Sequence, residues 1–98
     1  MTKKESKFQK EMIDAIKKKY PGCIAIKNDP NYIQGFPDWT ILYQDKWAVL
    51  EAKASEHSSH RPNQDYYVNK LNDMSFSRFI YPENEEHVLQ ELEKIFGG

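Results

Sequence analysis

Two acids and a lysine stand where they could do chemistry together. Asp38 follows Gly35-Phe36-Pro37, and Glu51 and Lys53 close the run Trp47-Ala48-Val49-Leu50-Glu51-Ala52-Lys53. Carboxylates are hard oxygen ligands, and a pair suits Mg²⁺, which keeps several waters and leaves room for a substrate phosphate. A cation so held polarises a phosphoryl oxygen and brings the pKa of bound water towards neutrality. A neighbouring lysine can orient the nucleophile or meet charge developing on the phosphate. The plainer reading is a strand-end ion pair in a chain that is 30% charged. The Glu-x-Lys triplet alone distinguishes nothing, because Glu5-Ser6-Lys7 repeats it in a helical pattern. The weight lies in the conjunction of Gly-x-Pro-Asp, a hairpin, and Glu-x-Lys ending an apolar strand.

Two strands must position these groups. Asp38 opens one, Trp39-Thr40-Ile41-Leu42-Tyr43; Gln44-Asp45-Lys46 reads as a tight turn, and the chain returns through Trp47 to Lys53. β-branched and aromatic residues between Gly, Pro and Asp are a hairpin signal. Side chains alternate along a strand, so Trp47, Val49, Glu51 and Lys53 share one side, and Ala48, Leu50 and Ala52 the other. In an antiparallel pair the end of the returning strand lies across from the start of the first. Asp38, Glu51 and Lys53 therefore converge.

At Pro37-Asp38, Glu51 and Lys53, with Gly35 ahead of them, the chain resembles the PD-(D/E)xK nuclease superfamily. Within it the small VRR-NUC type of phage and bacterial replication-repair proteins and the Holliday junction resolvases are most similar. The resemblance implies a restriction-endonuclease-like core in α-β-β-β-α-β order, here with a C-terminal helix. It also implies cutting of DNA phosphodiesters with Mg²⁺, or Mn²⁺ as substitute, leaving a 5′-phosphate and a 3′-hydroxyl. Asp38 and Glu51 would then hold the metal with the Ala52 carbonyl, and Lys53 would serve the water or the phosphate.

The remaining elements flank this hairpin. Glu5 to about Tyr20 reads as an amphipathic helix, with Phe8, Met12, Ala15, Ile16 and Tyr20 recurring at helical spacing. Thr2-x-x-Glu5 has capping-box form. Glu5 also stands three residues before Phe8 at the head of that stripe, so it is both a capping residue and a candidate accessory metal ligand, with Glu11 behind it. Pro21-Gly22 ends the helix, and Cys23 to Lys27 reads as a strand. The polar loop Asn28 to Phe36 contains the turn signal Asp29-Pro30-Asn31. Lys27, Asn28 and Tyr32 are candidate DNA contacts there, as are Arg61 further on and Lys7 on the basic helix. His57 and His60 lie in a Ser-rich loop and read as solvated rather than as metal ligands. A second helix is expected from Asn63 to about Asn72, opened by Pro62, with Tyr67, Val68 and Leu71 inward. Gln64 at its head has two readings, a buried glutamine bonded to backbone or a support for the site. Gln64-x-x-Tyr67 is similar to the pattern on the corresponding helix of such nucleases. Ser77 to Tyr81 reads as the fourth strand, and Glu85 to Phe96 as a last, packing helix.

Composition sets the bounds. Ninety-eight residues make a single domain with one modest core. No apolar run has spanning length and no signal peptide is evident, so no membrane partner is expected. Cys23 is the only cysteine, which suits a reducing, intracellular and cytoplasmic setting, host cytoplasm if the gene is a phage's. Net charge is −1, which argues against a strongly basic nucleic-acid glove. Its distribution is uneven: eight lysines against three acids through Lys27 give +5, and five acids against one lysine from Glu83 to Lys94 give −4. One basic face can hold a phosphate backbone. The expectation is an α/β domain with a small mixed sheet and a metal-dependent, structure-specific DNA endonuclease site, acting on branched DNA as a symmetric dimer. The alternative is a catalytically inactive DNA-binding or protein-interaction module on the same fold.

Overall fold

The structure is a computed structural model that describes residues 3–97. The elements run α1 (Lys3–Lys19), β1 (Ile24–Lys27), β2 (Trp39–Tyr43), β3 (Lys46–Ala52), α2 (Pro62–Met74), β4 (Ser77–Ile80) and α3 (Glu85–Phe96). The Thr2 cap expected for α1 lies outside the described residues.

Gln44 takes a positive φ of 56° in the turn between β2 and β3, which pairs Tyr43 with Lys46 and starts β3 one residue earlier than the sequence suggested. The register then runs through Ile41 opposite Ala48 to Trp39 opposite Leu50. One step further, Asp38 stands opposite Glu51. β1 adds antiparallel to β2, and β4 adds parallel to β3, giving the order β1-β2-β3-β4. Parallel neighbours need a long crossover, and α2 supplies it.

The sheet is mixed and its two faces are unequally covered. On one, Ile41, Ala48, Leu50, Ala52 and Ile80 meet Met12 and Ile16 of α1 and Val88, Leu92 and Phe96 of α3. Burying each of these large apolar side chains stabilises the fold by about 1.5–3 kcal/mol. The buried stripe of α1 is Phe8, Gln9, Met12, Ile13 and Ile16; Ala15, expected on it, is exposed. The paired spacing of Gln9 with Met12 and of Ile13 with Ile16 outweighs the small side chain. On the other face, Val68 and Leu71 of α2 cover β3 and β4. Because α2 does not reach across to β1, Ile24 and Ile26 stand 57% and 43% exposed. Cys23 is half-buried against the main core. The acidic α3 is tied to the sheet by a bidentate pair, Arg78 to Glu91, with both nitrogen–oxygen distances 3.2 Å.

Candidate active site

Asp38, Thr40 and Leu42 alternate onto the sheet face that carries Glu51, the face α2 covers. The two acids are not separated by the sheet. One Asp38 oxygen, Oδ2, accepts the Ala52 N–H at 3.0 Å, which locks the carboxylate to the end of β3. The other, Oδ1, lies 3.7 Å from Lys27 Nζ. Glu51 is only 4% exposed and shares a hydrogen bond with Asp38. Burial first, then the Asp38 charge and that bond, raise its carboxyl from the ordinary 4.5 to about 8; Lys53 and Lys27 pull weakly the other way. Two carboxyls pressed together out of water cannot both ionise cheaply. A divalent cation between them would reverse that logic, because its charge favours both anions.

Lys53 follows β3 directly, its N–H donating to the Ile80 carbonyl at 2.9 Å. Its ammonium donates to Gln64 Oε1 at 2.9 Å, and the same oxygen accepts the Arg61 N–H at 3.0 Å. Two donors on one atom fix which end of the amide faces them, since the amide nitrogen could only donate. Gln64 thus closes the first turn of α2 and holds Lys53 with a single atom. Gln64 is half-buried, and its one oxygen joins a backbone N–H to the Lys53 ammonium.

These groups line a cleft of about 510 Å³ whose walls include Glu5, Lys27, Asp38, Glu51, Ala52, Lys53, Arg61 and Gln64. All four expected catalytic residues and both further metal ligands therefore lie on it. Of the expected DNA contacts it takes Lys27 and Arg61, while Asn28, Tyr32 and Lys7 stand outside it. Asn28 holds the loop that precedes Asp38: its Nδ2 donates to the Pro37 carbonyl at 2.8 Å and to Thr40 Oγ1 at 2.9 Å. Lys7 points along α1, 3.9 Å from Glu11, with 79% of its side chain exposed. His57 is exposed, as expected, but the His60 ring stacks on Phe79, with centroids 3.8 Å apart, and bonds Asp65 at 3.1 Å.

Gln9 is the residue that helical spacing did not single out. Buried on α1, its Oε1 accepts from Lys27 Nζ at 2.8 Å and from Trp39 Nε1 at 2.9 Å, and Lys27 lies over the Trp39 ring at 5.2 Å. Gln9 thereby anchors the lysine nearest Asp38. Its signal was a polar residue at an apolar-stripe position of α1. Pro30 and Ser59 also line the cleft, and nothing in their spacing marked them.

The donor set fits a hard divalent ion. Among the described residues no three His, Cys, Asp or Glu side chains gather around one point, but Mg²⁺ needs only one or two carboxylates, with water and phosphate completing its shell. Compared with known proteins, the chain matches no family model, no curated protein and no solved structure. What fold and site define is a small mixed α/β protein in which three acids, Glu5, Asp38 and Glu51, and three cations, Lys27, Lys53 and Arg61, line one open cleft.

Proposed function

We propose that the protein is a metal-dependent nuclease that hydrolyses phosphodiester bonds in branched or junction DNA. The observation that carries this reading is the meeting of Asp38 and Glu51 beside a lysine held by Gln64, in a cleft lined also by Lys27 and Arg61. Asp38 and Glu51 would hold Mg²⁺ or Mn²⁺, with Ala52 and Glu5 the further oxygen donors along the same wall. Bound there, the ion would supply Lewis-acid polarisation of the phosphate and acidify a water.

The chain's own groups do the rest. Lys27 and Arg61 receive the phosphate backbone, and the N-terminus of α2 adds its partial positive charge. Lys53, fixed by Gln64, meets the negative charge that grows on the phosphoryl oxygens as water attacks phosphorus and the bond to the 3′-oxygen breaks. A preorganised donor at that point is worth about 10²–10³ in rate. The restriction-endonuclease-like core remains part of this proposal, supported by the strand order and by the placing of the acids on neighbouring strands.

The test is cleavage of flaps, splayed arms, four-way junctions and plain duplex with Mg²⁺ or Mn²⁺. Branched forms should be cut in preference, and Asp38→Ala should abolish cutting while leaving the fold intact by circular dichroism. Equal nicking by Asp38→Ala would sink the reading. The same samples in sedimentation equilibrium address the dimer, since paired cuts across a junction require two clefts.

A further inference from the structure

The connection from β1 to β2 is unusually long for a hairpin. Residues 28–38 intervene, where about two to five commonly suffice. Such length without secondary structure has a use or is loose, and here it is not loose. Asn31 N–H donates to Asp29 Oδ1 at 2.8 Å, Tyr32 N–H to the Asp29 carbonyl at 3.2 Å, and Phe36 N–H to the Ile33 carbonyl at 3.2 Å. Gly35, at φ +85°, backs so closely onto Asn63 of α2 that a Cβ would come within 2.5 Å of it. The Phe36 ring packs on Tyr67, with centroids 5.6 Å apart.

This braced loop presents an aromatic side chain to solvent. Tyr32 is 86% exposed. At its foot is a cleft of about 380 Å³ formed with Ile33, Phe36, Asn28, Thr40 and the acid Asp29, within the roughly 300–1,000 Å³ of small-molecule sites. Phe36 also lines a second hollow of about 220 Å³, with Gln34, Gly35, Asp38, Glu51, Arg61 and Gln64. The apolar cleft and the acidic site are therefore neighbours that share Phe36.

We propose that the 29–36 loop is a base-binding platform: Tyr32 and the apolar cleft beneath it take one unpaired nucleobase of a strand whose adjoining phosphate lies beside Lys27 and Arg61. It rests on the nuclease reading only for the position of the cut. The neighbouring cleft selects the occupant: a mostly apolar slot that shares Phe36 with a hollow carrying Arg61, next to the cleft of Lys27 and Arg61, matches a flat base joined to an anionic backbone, with the base rather than a phosphate beside Asp29. The aromatic wall selects among nucleic acids. A base inside a duplex is stacked on both faces and has its edge paired, so reaching Tyr32 costs the unstacking that a mismatched or single-stranded base avoids. Because the loop is already ordered, little freedom is lost on binding. The substrate class that follows is DNA with an unpaired base next to the scissile phosphate.

The test is fluorescence anisotropy in EDTA at fixed salt, with a labelled single strand, a splayed duplex and a blunt duplex of the same sequence. Wild type should favour the first two. Tyr32→Ala should weaken those two by about 5- to 150-fold, the range that one base–aromatic stack supplies, without changing blunt-duplex affinity. Tyr32→Phe should bind as wild type. Matching melting midpoints for all three proteins exclude misfolding, which an exposed side chain should not cause. The platform is overturned if Tyr32→Ala binds the unpaired forms as wild type does, if it weakens on all three forms equally, or if wild type binds none. Since EDTA removes cleavage, a Tyr32-dependent preference with no Mg²⁺-dependent nicking overturns the nuclease reading alone. Nicking that is indifferent to Tyr32, with undiminished binding by Tyr32→Ala, overturns the platform alone.

Discussion

Glu51 occupies a position that an aliphatic side chain would fill without electrostatic cost. It pairs with Phe79 across the parallel ladder and is almost wholly enclosed. Its carboxyl, raised to about 8 from 4.5, is neutral at pH 7 in the metal-free protein. A folded-state pKa above the unfolded one means full stability below about pH 4.5, lost progressively as pH rises towards 8, because only the unfolded chain releases the proton easily. The metal-free melting temperature should therefore fall across that window on Glu51's account. Asp38→Asn removes the adjacent charge but not the burial, the larger cause, so it should lessen the fall without abolishing it. Mg²⁺ or Mn²⁺, which needs Glu51 charged, should stabilise wild type more at pH 8 than at pH 6, with proton release, and should leave Asp38→Asn almost unshifted. Thermal melts across pH, with and without the ions, check all of this; a metal shift retained in Asp38→Asn would remove Asp38 from the site.

At the scale of elements, the site is a junction of three parts. The hairpin brings the acids, the first turn of α2 brings Gln64 and Arg61, and α1 brings Gln9 behind Lys27. The close approach of Gly35 to Asn63 joins the first two. Gly35→Ala would put a side chain into a left-handed backbone, at about 1–3 kcal/mol, and drive its Cβ into the helix backbone, where overpacking adds about 1–3 kcal/mol. The expected result is a melting point lower by about 8 °C or more, at roughly 4–8 °C per kcal/mol for a domain of this size. A melting point within a degree or two of wild type would mean that loop and helix are not packed as described.

At the scale of the molecule, the lysines of α1 and the acids of α3 are separated along the chain but pack on one sheet face, where Lys19 meets Glu93 at 2.8 Å. With a net charge of −1, the attraction for a phosphate backbone therefore falls to the cations of the cleft. Binding that uses the cleft should depend on salt through Lys27 and Arg61. Removing one cation that neutralises a phosphate lowers the steepness of log K against log[salt] by about 0.9. Lys27→Ala and Arg61→Ala should each lower it by about that amount on every DNA form, unlike the selective weakening expected at Tyr32. Unchanged slopes would move the DNA path away from the acids. No helix of the described residues is long and apolar enough to cross a membrane.

Local pattern sufficed for what depends on neighbours in the chain. The hairpin, the bounds of α3 and the sharing of one face by Asp38 and Glu51 follow from alternation, turn residues and helical period, all of which act over a few residues. Gln64 was legible for the same reason, as a polar residue heading an apolar stripe. Other features required distant segments to meet. Gln9 became the partner of Lys27 and Trp39 only when α1 crossed the sheet. Ile24 and Ile26 were left in solvent because α2 covers β3 and β4 and stops short of β1. The carboxyl of Glu51 holds its proton because burial, a property of the packed whole, removes the water that would have stabilised its charge.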